Sequence, residues 1–152
     1  MPTVYEIENK IASWLESESW TVVKSKSPDY DFMYTVTLPS DSKVTIGFEQ
    51  KLDRIVILNL IGIPEDLQKS YKLSPIKYDF FYELKINLTL MDVLMEVQPN
   101  IEGFNMINLA KFIYMDGFSR DKLINCIWKI SNATELCNIS WTRFTDESSL
   151  TE

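Results

Sequence analysis

The chain of 152 residues contains no histidine. That absence removes Ser-His-Asp and Cys-His catalysis, imidazole acid-base chemistry and histidine-ligated zinc or iron within one chain. Cysteine is scarce too: Cys126 and Cys137 are the two present, and without a CxxC spacing they make neither a four-thiolate zinc site nor an iron-sulfur cluster. They fall on what reads as one helix, roughly 16 Å apart along its axis, so they cannot pair within it. Glycine is limited to four, none in a G-x-G-x-x-G or P-loop arrangement, which leaves no backbone cradle for a pyrophosphate. No metal and no cofactor is therefore expected.

Basic side chains are also in the minority, with 15 against 22 acidic for a net charge of -7. They are scattered singly, so the footprint that releases counterions from phosphates is missing and no nucleic-acid partner is expected. No segment approaches the roughly 20 apolar residues of a membrane span, and MPTVYEIENK lacks the order of a signal peptide. The expected location is the cytoplasm, with no membrane partner. Paired carboxylates such as Asp29 with Asp31, Glu65 with Asp66, or Asp92 with Glu96 are the one catalytic chemistry the composition leaves, but turns, helix starts and solvated strand faces explain them equally well.

The most informative stretch that is present runs from Glu102 to Trp141. It reads as a strand over about 104 to 115, an Asp116-Gly117 turn in which the glycine accepts positive φ at little cost, and a long helix capped by Ser119 with Asp121 in its first turn. Leu123, Ile127, Ile130, Thr134, Cys137, Trp141 and Phe144 recur at alternating steps of four and three, one stripe facing a core. Ile124, Trp128 and Ile139 lie beside that stripe, as a wider core face or as a candidate interface. Asp116, Gly117 and Arg120 cluster as a candidate polar turn site, with Arg120 in reach of Asp116 or of an acidic group.

Ahead of this, Thr3-Val-Tyr-Glu6 matches a capping box opening a helix to about residue 17. Trp20 to Val23 begins a first strand, Phe32 to Leu38 and Val44 to Phe48 alternate as half-buried strands, and Arg54 to Ile61 is apolar enough to be covered on both faces. Pro64 and Ser74-Pro75 each start a helix, so the middle is a helical pair or one interrupted helix. Val93 to Val97 is a further strand, a hairpin neighbour of the one after Gly103.

The expected fold is α+β, a mainly antiparallel twisted sheet of about six strands with three helical regions in the order α-ββββ-α-ββ-α. One domain over 1–145 is expected, followed by a polar, fraying tail at 146–152.

The segments WLESESW and VTLP, the aromatic-x-Asp-Gly turn Tyr114 to Gly117 and the closing helix through Trp141 resemble an archaeal family of conserved proteins of unassigned function, over nearly the whole chain. That resemblance implies no activity. The element order is also similar to the type III secretion chaperone fold, whose members are commonly dimers that hold a client on apolar patches, an analogy of fold alone. The expected function is a non-enzymatic protein-binding, adaptor or chaperone-like module acting through an apolar helix or sheet edge, with a homodimer twin or a protein client as partner. The alternative is a small-ligand-binding protein or carboxylate-dependent enzyme with a pocket between helices and sheet.

Overall fold

The computed structural model describes residues 2–150, and the side chains of 2–146. Among the described residues six strands form one sheet in the order β1-β2-β3-β4-β6-β5, accompanied by four α-helices. In chain order these are α1 (Val4–Ser17), β1 (Thr21–Ser25), β2 (Phe32–Thr37), β3 (Lys43–Glu49), β4 (Arg54–Gly62), α2 (Glu65–Leu73), α3 (Lys77–Leu90), β5 (Leu94–Asn100), β6 (Gly103–Tyr114) and α4 (Arg120–Leu150). The α+β architecture is the expected one, and the middle helical region is a pair. Contacts group the chain into two compact units, Met1–Asn59 with Lys111–Ser131 and Leu60–Ala110 with Asn132–Glu152.

In the first unit the capping box forms as the sequence dictates. The Glu6 amide donates to Thr3 Oγ1 at 3.1 Å and the Thr3 amide donates to Glu6 Oε2 at 2.8 Å, so two otherwise orphaned donors are satisfied. The helix then buries Ile7, Ile11 and Leu15. β1, β2, β3 and the start of β4 form an antiparallel meander in which Phe32, Tyr34 and Val36 of β2 and Val44, Ile46 and Phe48 of β3 face the core. β4 is covered on both faces over Ile55 to Ile57 alone, and Leu60 further along is half exposed. Cover on the second face comes from Tyr30, whose ring lies over Gly47, the cross-strand partner of Val56.

One acid ties helix to sheet in this unit. Glu8 accepts from the Tyr34 hydroxyl at 2.9 Å and from the Lys24 ammonium at 2.5 Å. The bond from Lys24 holds the Glu8 carboxyl below its ordinary value, against the opposing effect of burial. A carboxyl whose folded pKa is depressed contributes stability above the unfolded pKa and loses it as pH falls through the folded one. Urea unfolding of wild type and Glu8→Gln at pH 6, 4 and 3 should show a gap of no more than about 1 kcal/mol, Lys24 being half exposed, that closes as the solution is acidified below about pH 4.5. An unchanging gap would assign the loss to packing.

The second unit is organised on aromatic rings. Tyr71 of α2 meets Phe104 of β6 at 4.7 Å between centroids, and Phe80 of α3 meets Trp141 and Phe144 of α4 at 4.7 and 4.6 Å. The Tyr71 hydroxyl donates to the Ile101 carbonyl at 2.7 Å, and burial pushes its pKa up to about 12. β5 and β6 form the expected antiparallel hairpin, with a register shift between Gln98 and Pro99.

Two local expectations are corrected. No glycine has positive φ; Ser19, Asp41, Asp53 and Asp92 take that region instead. Gly117 closes a 3-10 turn, Met115–Gly117, whose dihedrals any residue adopts. The buried stripe of α4 passes through Ala133 rather than Thr134, because the 3.6-residue period carries it three residues on from Ile130. Helix α4 runs to Leu150; of the tail expected at 146–152, the side chains of 147–150 and residues 151–152 lie outside the described residues.

Candidate functional site

Helix α3 is apolar on two sides. Phe81, Leu84 and Leu88 are buried against its own unit. Around the rest of the surface Tyr78, Tyr82, Ile86 and Leu90 are 40, 50, 59 and 81% exposed. Residues four apart on a helix stand one above the next, so these four make a single ridge. A surface helix normally carries one apolar stripe, toward the core; this one carries a second and leaves it in solvent. The Tyr78 hydroxyl donates to the Glu102 carboxylate at 2.5 Å, which raises its pKa and fixes the ring at the start of the ridge.

Beyond Leu90, the turn through Met91 and Asp92 leads into β5, the edge of the sheet, where Leu94 is 56% exposed. Edge strands carry unpaired backbone groups that natural proteins blunt. Here Pro99 and the register shift beside it blunt the far end, while Leu94 to Val97 keep regular pairing with Ala110 to Ile107. Exposed helix ridge and exposed edge residue thus follow each other in the same unit.

Two grooves flank these helices. One of about 190 Å³ is lined by Asp79, Phe80, Glu83, Arg143 and Phe144, with Glu83 and Arg143 paired at 3.6 Å. Another of about 360 Å³ lies along Ile61 to Pro64, Leu67, Trp141 and Thr142. The Trp141 indole nitrogen lacks a hydrogen-bond partner but is fully covered, so it does not open onto that groove. Among the described residues no group of three or more Cys, Asp or Glu side chains stands close enough to hold a metal ion. Of the carboxylate pairs, Asp31 is engaged structurally, accepting from the Gln50 amide at 2.7 Å, and Glu65 and Asp66 occupy the first turn of α2.

The residues singled out from sequence fall in different places. Ile124 is half-buried, and Trp128 is 40% exposed with its ring edge-on to Trp20 at 5.8 Å; both belong to the first unit. Ile139 is 58% exposed and belongs to the second. Asp116 and Gly117 share the 3-10 turn, but Arg120 turns away to Glu18 and Ser17 at the end of α1, each at 3.0 Å. A cation there offsets the acidic residues at the negative end of the helix dipole. The α3 ridge is not among the residues singled out from sequence, where this stretch reads only as part of a helical pair or one interrupted helix. The signal available was the step of four from Tyr78 to Leu90.

No helix among the described residues is long and apolar enough to cross a membrane. A protein-family model described as an uncharacterized conserved protein, DUF2299, matches residues 7–140. Comparison with curated proteins gives no match. Among solved structures the chain is similar to the crystal structure of an uncharacterized protein from Methanothermobacter thermautotrophicus, at 21% identity and a TM-score of 0.78, over 90% of this chain and 98% of that one. At that identity the likeness is one of fold.

Proposed function

The chain belongs to the DUF2299 family of uncharacterized conserved proteins, and within it we propose that this member is a non-enzymatic, cytoplasmic protein-binding module whose contact surface is the outer ridge of α3, continued by Leu94 on the sheet edge. The observation that carries this reading is the ridge itself. Four large apolar side chains aligned on one helix face and open to solvent form a contiguous apolar patch rather than scattered single residues, and contiguity is what distinguishes an interaction surface from ordinary exposed apolar groups. Tyrosine at two of the four positions fits the composition of interface hot spots. An amphipathic partner helix or an apolar client segment would lie along such a ridge, as in helix-in-groove recognition. An adaptor or chaperone-like role follows this reading and the element order.

The test is native mass spectrometry of the tagged chain purified gently from its own host, beside the variant Ile86→Asp. A bound polypeptide, a twin or a client, is expected on the wild type, with at least about a tenfold loss of occupancy in the variant, since a charge placed in an apolar contact is left desolvated and unpaired. Thermal unfolding of the two proteins should coincide, because Ile86 is exposed. A partner retained in full by Ile86→Asp would rule this surface out.

A further inference from the structure

The borders of the ridge carry opposite charges. With about 100° per residue, the row from Tyr78 to Leu90 sweeps about 120° of the helix, and Lys85 and Glu83 flank it symmetrically, each about 80° from its middle. Both lie at the level of Tyr82 and Ile86, the centre of the row. Resting on the protein-binding reading above, we propose that the partner on this ridge is a second copy of the chain, with the two α3 helices packed in the parallel sense so that Lys85 of each copy meets Glu83 of the other.

Charge complementarity selects both the occupant and the direction. A two-fold axis running along the helices brings unlike borders together, lysine to glutamate on both sides. An axis across them would set Lys85 against its twin and Glu83 against its twin. In helix pairs, charged residues flanking the apolar contact set partner choice and orientation in this way. A helical lysine leans toward the N-terminus, from position 85 toward the level of position 83. Rows of step four pack at about 50°, which concentrates contact at the middle of the row, where the charges are. Arg143 shares Glu83 at 3.6 Å, and both are largely exposed, so that bond is weak enough to yield or to be shared. Asp79 stands on the same border as Glu83 and adds to its sign. Against the contact stands the net charge of -7 on each copy, which salt screens at separations beyond about 8 Å under physiological conditions. A ridge of this size makes a small interface of the transient kind.

Sedimentation equilibrium of the full chain from 10 to 300 µM at about 0.15 M salt tests this. Wild type is expected to dimerise reversibly. Lys85→Glu and Glu83→Lys should each raise the dissociation constant at least about tenfold, since each turns two attractive pairs into two repulsive ones. The double variant Lys85→Glu/Glu83→Lys should return to within about threefold of wild type, because it only exchanges the borders. Circular dichroism melts confirm that each variant folds. A monomer throughout the range overturns the twin while leaving a different bound polypeptide to support the broader reading. A dimer that ignores the single reversals, or a double variant that stays weak, overturns the parallel pairing.

Discussion

Replacing Tyr71 by alanine is expected to cost about 3–5 kcal/mol, the range for removing a large buried aromatic ring. The ring is 1% exposed and lies within 6.3 Å, centroid to centroid, of Phe80, Phe104, Trp141 and Phe144. Its neighbours are themselves rings, which cannot bend into the space as an aliphatic chain can, so the cavity should persist. For a chain of this length the loss corresponds to a fall of roughly 6–20 °C in Tm. Tyr71→Phe separates packing from polarity. It keeps the ring and leaves the Ile101 carbonyl without its donor, at about 0.5–1.5 kcal/mol. Equal losses for the two variants would show that the hydroxyl, not the ring, carries the effect.

The second large effect is expected at Phe48→Ala, also about 3–5 kcal/mol. Phe48 is 1% exposed, stacks on Phe32 at 5.4 Å and 23°, and pairs across the sheet with Phe32 on one side and Ile55 on the other. Tyr71 and Phe48 belong to different compact units, so together they test whether the chain is the single domain proposed from its length. In one cooperative domain both variants lower one common transition, seen alike by tryptophan fluorescence and far-UV circular dichroism. Separate transitions, each moved by one variant alone, would overturn the single-domain reading.

The elements easiest to read from sequence were those specified locally. Thr3 and Glu6 announce a helix start because each completes the other's hydrogen bond three residues away. Phe32 to Val36 and Val44 to Phe48 announce strands because alternation maps directly onto the two faces of a sheet. Positions decided by distant residues were not legible. Asp116-Gly117 has the composition of a positive-φ turn, yet the chain takes a 3-10 turn there, held by the Met115 amide donating to the Asp53 carbonyl at 3.1 Å. Arg120 finds its partners more than a hundred residues back in the chain. For α3 the difficulty is different in kind. Apolar residues lie on two opposite faces of the helix, so periodicity says that it is helical without saying which face is covered. Which face of Tyr78, Phe81, Tyr82, Leu84 and Ile86 stays in water is settled by neighbours that no local pattern encodes.

The state of the two cysteines bears on how such contacts could be followed in solution. Cys126 and Cys137 are both buried and neither forms a disulfide, and burial pushes the Cys137 thiol up to about 12. The form that attacks maleimides and iodoacetamides is the thiolate, which burial disfavours at Cys137. A cysteine introduced at exposed Thr89 beside the ridge would outpace the native thiols in labelling because Cys126 and Cys137 are both buried, and a single fluorophore or nitroxide could be placed there without first mutating the wild-type background.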